Sequence, residues 1–103
     1  QINGCNYCIW LHSRQARELG EPEERIAGVT GWRSADCYSA AEQAAFDWTE
    51  SVTNIVDGTP PDDRFAALQQ HFGDRQIVDL TATVANMNAL NRLGISFRLE
   101  PPE

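Results

Sequence analysis

Apolar side chains recur every three to four positions along nearly the whole chain, and the rhythm breaks at Gly, Pro and Asp-Gly. No stretch alternates apolar and polar residues with the two-residue period of a strand, so the pattern predicts an all-α fold. The first stripe is Cys5, Cys8, Ile9, His12, Ala16 and Leu19. It predicts a helix from about Gly4 to Leu19, which Gly20 ends by taking a left-handed conformation. Pro22 suits the first position of a short second helix, with Glu23 and Glu24 in the first turn where the backbone dipole favours acids, and that helix is expected to end near Gly31. Ser39-Ala40-Ala41-Glu42 has the form of a capping box, and Ala41, Ala45, Trp48, Val52 and Ile55 continue as one face up to Asp57-Gly58. Thr59-Pro60-Pro61-Asp62-Asp63 reads as a turn and a helix start, followed by the stripe Phe65, Leu68 and Phe72. Gly73-Asp74 breaks that helix and opens the last one, where Ile77, Leu80, Val84, Met87 and Phe97 lie close to one face. The tail Glu100-Pro101-Pro102-Glu103 cannot continue it.

At 103 residues the chain is long enough for one small domain, 1–103, and its 42% hydrophobic content supports a real core. The net charge of −7 and sequence pI of about 4.6 argue against nucleic acid and anionic membrane as partners, since both require clustered positive charge. All eight basic residues are Arg, so no lysine is present for Schiff-base or lysine-base chemistry. Neither a signal peptide nor a membrane-spanning apolar run is seen. The cysteine count is three, an odd number, and two of the three are too close in sequence to staple a fold. Together these features point to a reducing, cytoplasmic setting in which the thiols are reactive rather than structural. Three Trp and a long apolar last helix are more than a chain this small is expected to bury alone, so a homo-oligomer is expected. The first residue is Gln1 and not Met, which predicts an N-terminally incomplete chain.

The chemistry concentrates in Cys5-Asn6-Tyr7-Cys8-Ile9-Trp10-Leu11-His12. On a helix, positions i, i+3 and i+7 share a face, so two thiols and an imidazole can converge. A CxxC pair can cycle between dithiol and disulfide, and a histidine can move the protons of that cycle. A thiolate at a helix N-terminus is stabilised by unpaired backbone N–H groups, but the spacing does not say which thiol attacks first. A metal reading competes, with Cys5, Cys8 and His12 as ligands and Cys37 as a fourth. A structural zinc usually draws ligand pairs from two separate knuckles, however, and only one pair exists here. A second competitor makes the cysteines small buried apolar residues, and a third makes His12 a core residue; two thiols beside that histidine weigh against both. Cys37 lies in a polar loop and reads as a bystander, and His71 reads as a surface cap near a helix end. Trp10, Trp32 and Trp48 read as core or subunit-interface residues. Asn86, Asn88, Asn91 and Arg92 form a polar seam on the last helix that is either solvated or set to satisfy buried groups or line a site.

Gln1-Ile2-Asn3-Gly4-Cys5-Asn6-Tyr7-Cys8 followed by His12 resembles the signature of AhpD-like alkylhydroperoxidases, within the carboxymuconolactone decarboxylase family. Trp48-Thr49-Glu50 before the Asp57-Gly58 turn, and Asn88-Ala89-Leu90-Asn91-Arg92-Leu93, extend the resemblance over nearly the whole chain. The decarboxylases of the wider family lack the cysteine pair, so CxxC followed by His12 places the resemblance on the peroxidase branch. It implies an AhpD-like helical bundle, here without its N-terminal helical segment, and a homo-oligomer, commonly a trimer or hexamer. It also implies a thiol peroxidase. Cys8 would attack the hydroperoxide O–O bond, Cys5 would resolve the sulfenic acid as a disulfide, and His12 would relay protons. Tyr7 stands where some members have His. No bound cofactor is implied. The reductant would be an external thiol donor, a lipoyl-bearing protein in keeping with the resemblance. The family relay also uses a Glu about three helical turns before the first Cys, and this chain begins four residues before Cys5, so that Glu is expected to lie outside it. Two other functions compete: a thiol-disulfide oxidoreductase that never meets peroxide, and a non-enzymatic, oligomeric stress protein whose thiols sense redox state.

Overall fold

The structure is a computed structural model that describes residues 1–102, and among these it is helical with no strand. Five α-helices follow in order: α1 (Asn6–Glu18), α2 (Glu23–Ala27), α3 (Ala40–Thr53), α4 (Asp62–Gln69) and α5 (Asp74–Ser96). A stretch of 3₁₀ helix, Gly28–Ser34, extends α2, and a 3₁₀ turn, Ile55–Asp57, follows α3.

The ends of these helices are set by local chemistry. The α3 capping box forms in full. The Ser39 hydroxyl accepts the N–H of Glu42 (3.1 Å), and the Glu42 carboxylate accepts the N–H of Ser39 (3.0 Å). After α1, Gly20 stands at φ +92°, and the N–H groups of Glu21 and Gly20 return to the carbonyls of Ala16 and Arg17, the paired bonds of a Schellman stop. The same pair of bonds closes α5, from Leu99 to Gly94 and from Arg98 to Ile95, with Arg98 in the left-handed position at φ +55°.

The chain divides into two compact units: Tyr38–Asn88, and Gln1–Cys37 together with the chain from Ala89 onward. In the first, Trp48, Leu68 and Ile77 form a buried cluster flanked by Ala44, Val52, Phe72 and Leu80. Leu68 has no exposed surface, and burial of a side chain of this kind stabilises by roughly 1.5–3 kcal/mol. The Trp48 indole N–H donates to the Thr81 hydroxyl (2.9 Å), and that hydroxyl donates to the Ile77 carbonyl (2.7 Å), so the buried indole nitrogen is satisfied. The Asn88 amide donates to the Thr53 hydroxyl and the Val84 carbonyl, which accounts for part of the polar seam.

Several sequence expectations are corrected at helix ends. Cys5 is the N-cap of α1 in extended conformation, outside the helix. Leu19 is the C-cap and is exposed, because the chain leaves the helical path at Gly20. α3 stops at Thr53, and the tighter 3₁₀ turn rotates Ile55 off the apolar face into solvent. Phe97 lies one residue past α5 and is 74% exposed, so it does not continue the face of Ile77 and Val84.

Candidate redox site

The unit that contains α1 brings Cys5 and Cys8 together as a disulfide, with Cα atoms 5.2 Å apart. That separation lies within the range a disulfide spans without backbone movement. The N-cap position supplies the geometry. An extended residue at the helix start turns its side chain back over the first turn, and the Cys5 Sγ accepts the N–H of Cys8 at 3.2 Å, where a Ser or Asp oxygen would otherwise sit. Cys5 is 3% exposed, while Cys8 is half-buried. The two cysteines therefore differ. Cys5 is covered and its sulfur is backed by a backbone donor, while Cys8 is the less buried residue of the pair.

α5 forms the floor of the site within the same unit. Gly94 is buried, and a β-carbon there would stand 2.8 Å from the Cys5 Sγ and 3.3 Å from the Cys8 Sγ. Only a residue without a side chain lets the helix come this close. One turn earlier, the Oδ1 of Asn91 accepts a hydrogen bond from the Asn3 amide at 3.0 Å. Asn91 is 7% exposed, so the bridge satisfies a buried polar side chain and ties the segment before Cys5 to α5.

The other candidate residues take different places. His12 lies on the exposed side of α1, and the hydrogen bond of its ring is between Nδ1 and the Gln15 Oε1 (2.8 Å) rather than to a sulfur. A neutral His12 that donates from Nδ1 to that oxygen keeps the Nε2 lone pair free to accept a proton. His12 is four residues after Cys8 on the same helix, the spacing of neighbours on one face. Tyr7 is half-buried, with its ring centroid 5.7 Å from that of Trp10, and the Arg14 guanidinium lies 5.8 Å from the Trp10 ring. This row of ring and cation contacts runs along α1. Cys37 is a free, half-buried thiol whose carbonyl accepts from the Arg25 guanidinium (2.6 Å). Among the described residues, no group of three or more His, Cys, Asp or Glu is arranged to hold a metal ion. Among the described residues, no helix is long and apolar enough to cross a membrane.

Asn3, Asn91 and Gly94 were not singled out together from the sequence. Asn91 and Gly94 are three apart on one helix, so they share a face, and a glycine inside a helix signals close approach by something. What approaches could not be read from either residue, because the partner lies almost a chain length away.

The family model for the carboxymuconolactone decarboxylase family matches residues 1–51. The chain is 36% identical over 96 residues to the uncharacterized protein YdfG of Bacillus subtilis (strain 168), a match that takes in 93% of this chain and 65% of that protein. The chain thus spans slightly under two thirds of the length of that curated relative. It also superimposes on a crystal structure of a protein of unknown function from Agrobacterium tumefaciens, proposed there to be the antioxidant defence protein AhpD. The TM-score is 0.96 and the identity 36%, covering 99% of this chain and 70% of that one.

Proposed function

The chain belongs to the carboxymuconolactone decarboxylase family as an AhpD-like member, and from that premise we propose that it is a thiol-dependent peroxidase that reduces alkyl hydroperoxides. The observation that carries the reading is the Cys5–Cys8 disulfide at the start of α1, with Cys5 buried and Cys8 half-buried. In the dithiol form the Cys8 thiolate attacks the terminal oxygen of the hydroperoxide. The O–O bond breaks, Cys8 becomes a sulfenic acid, and the alkoxide takes a proton to leave as alcohol. The Cys5 thiolate then attacks the Cys8 sulfur, the S–O bond breaks, and water leaves as the disulfide closes. An external dithiol, of the lipoyl class, returns the pair to thiols. His12 takes the Cys8 thiol proton at Nε2 as the thiolate forms and then passes it to the leaving oxygen, and Tyr7 is the second candidate donor. General acid–base help of this kind is typically worth on the order of 10²–10⁴-fold.

We place this chemistry in the cytoplasm, where free thiols such as Cys37 persist and a CxxC pair is kept cycling. We also propose assembly into a homo-oligomer. Leu90 and Leu93 stand exposed at i and i+3 near the end of α5, and Phe97 stands exposed just past it, an apolar surface that a second copy can cover.

Turnover of tert-butyl hydroperoxide with dihydrolipoamide as donor tests the proposal. Consumption of peroxide dependent on Cys8 supports it, and a rate no greater than that of the donor alone refutes it. One observation favours a second reading: His12 is exposed and tied to Gln15. Thiol–disulfide exchange, in which the leaving group is already a stable thiolate, has less need of a proton relay. Reduction of a protein disulfide by the dithiol form, without peroxide turnover, would favour that reading.

A further inference from the structure

α5 reaches the redox segment through two residues one turn apart, Asn91 and Gly94. Asn91 is buried and accepts the Asn3 amide, two residues before Cys5. Gly94 lies against both sulfurs, with the tighter approach to Cys5. We infer that Asn91, acting through Asn3, and Gly94 form a positioning wall that shields Cys5 and leaves Cys8 as the sulfur an external thiol attacks. The inference rests on the redox reading of the site and not on the peroxide step.

Three features act in the same direction. The wall and the N-cap fold leave Cys5 only 3% exposed, whereas Cys8 is half-buried, so access favours Cys8. The Asn3–Asn91 bond ties the chain two residues before Cys5 to α5, the helix that covers that sulfur. The Cys8 N–H already points at the Cys5 Sγ, so negative charge that forms on Cys5 as the disulfide breaks meets a donor without rearrangement. Disulfide exchange runs faster when the departing thiolate is stabilised, and both access and leaving-group stability therefore select the same direction of cleavage. Access and N-terminal stabilisation are thus divided between the two cysteines.

The step balances with a dithiol donor. One donor thiolate attacks the Cys8 Sγ, a donor–Cys8 disulfide forms, the Cys5–Cys8 bond breaks, and its electron pair stays on Cys5 as thiolate. The donor's second thiolate attacks the donor sulfur of the mixed disulfide and releases Cys8 as thiolate. The donor is oxidised to its own disulfide, the protein pair is reduced, and the two protons lost by the donor pass to Cys5 and Cys8.

The test uses the oxidised chain and glutathione, with no peroxide present. The reaction is stopped with acid at short times, remaining thiols are capped with N-ethylmaleimide, and fragment-ion mass spectrometry locates the glutathione. The expected result is adduct on Cys8 in excess of Cys5 by about tenfold or more. In Asn91→Ala and in Asn3→Ala, each checked for native helicity by circular dichroism, the ratio should fall toward parity. Asn91→Asp keeps an oxygen acceptor for Asn3 and should restore the bias, which loss of general stability does not predict. Adduct mainly on Cys5 in the unaltered chain overturns the proposal, as does an unchanged ratio in both folded alanine variants. A chain with selective Cys8 adduct but no hydroperoxide turnover would retire the peroxidase reading and leave this one standing.

Discussion

The unit Tyr38–Asn88 and the unit that carries the cysteines bury their interiors with different chemistry. In the first, Trp48, Leu68 and Ile77 form a buried cluster, Tyr38 and Val84 are buried as well, and the buried polar residue is Ser51, whose hydroxyl accepts from Arg64. In the second, the buried residues are Cys5, Trp32, Gly94 and Asn91, and among the described residues no Leu, Ile or Val there is buried. One unit is held by apolar area, which is non-directional. The other relies on directional or covalent links: a disulfide, an amide–amide hydrogen bond and helix stops. Directional links set the placement and orientation of particular groups, here the two sulfurs, in a way that apolar contact alone does not. They also make the site sensitive to changes too small to disturb an ordinary core.

The largest expected effect separates the two units by function. Cys8→Ser should reduce hydroperoxide consumption to background while thermal unfolding of the unit Tyr38–Asn88 stays close to normal. Cys5→Ser should leave a sulfenic acid at Cys8 that dimedone traps. Dimedone labelling of Cys5 in Cys8→Ser would reverse the assignment of the two thiols.

Leu68→Ala acts on the other unit. Deleting a fully buried leucine should cost ~2–5 kcal/mol in chemical denaturation, with rates per folded molecule preserved. A cost below about 1 kcal/mol would mean that the apolar cluster is not where this unit holds its stability.

Gly94→Ala sharpens the contrast, because a single methyl is added where there is no room. Overpacking typically costs ~1–3 kcal/mol, and here the methyl meets sulfurs that a disulfide keeps from rotating away. Alanine's better helix propensity offsets about 1 kcal/mol. The oxidised variant should still unfold at lower denaturant than the unaltered chain. Equal or greater stability would show that α5 can move back from the pair without loss.

Much of this contrast was legible in the sequence. The capping box at Ser39 and Glu42, the stop at Gly20 and the faces of Trp48, Leu68 and Ile77 depend on neighbours within a turn or two, and local spacing reports them. The CxxC pair is legible for the same reason. Residues at the edges were misread where a helix tightens or ends: Ile55 in a 3₁₀ turn, and Leu19 and Phe97 just past their helices. Periodicity continues on paper after the backbone has changed direction. The wall behind the sulfurs was not legible, since Asn3 and Asn91 are 88 positions apart and nothing in either segment names the other. The partner of His12 was a local miss: Gln15 is three residues on and could have been considered as a competitor for the imidazole.

The smallest expected effect concerns the surface pair Arg17–Glu23, whose guanidinium and carboxylate meet at 2.7 Å. The hydrogen bond and charge of Arg17 hold the Glu23 carboxyl below its ordinary pKa. In the acid range the unfolded chain therefore binds this proton before the folded one does, so the pair's contribution is present at neutral pH and is lost as pH falls through the carboxylate range. Both side chains are well exposed, and screening keeps the effect small. Glu23→Gln should flatten the acid side of a stability–pH curve slightly; a curve that steepens would contradict the sign.

The central claim is that Cys5 and Cys8 together carry one peroxide turnover, and a thiol count tests it most directly. The fully reduced chain has three thiols. Mixed with one equivalent of tert-butyl hydroperoxide and stripped of excess oxidant, it should show a single remaining thiol by Ellman titration, assigned to Cys37, with the peroxide consumed and the Cys5–Cys8 disulfide recovered by peptide mapping. Three thiols persisting beside unconsumed peroxide would contradict the account.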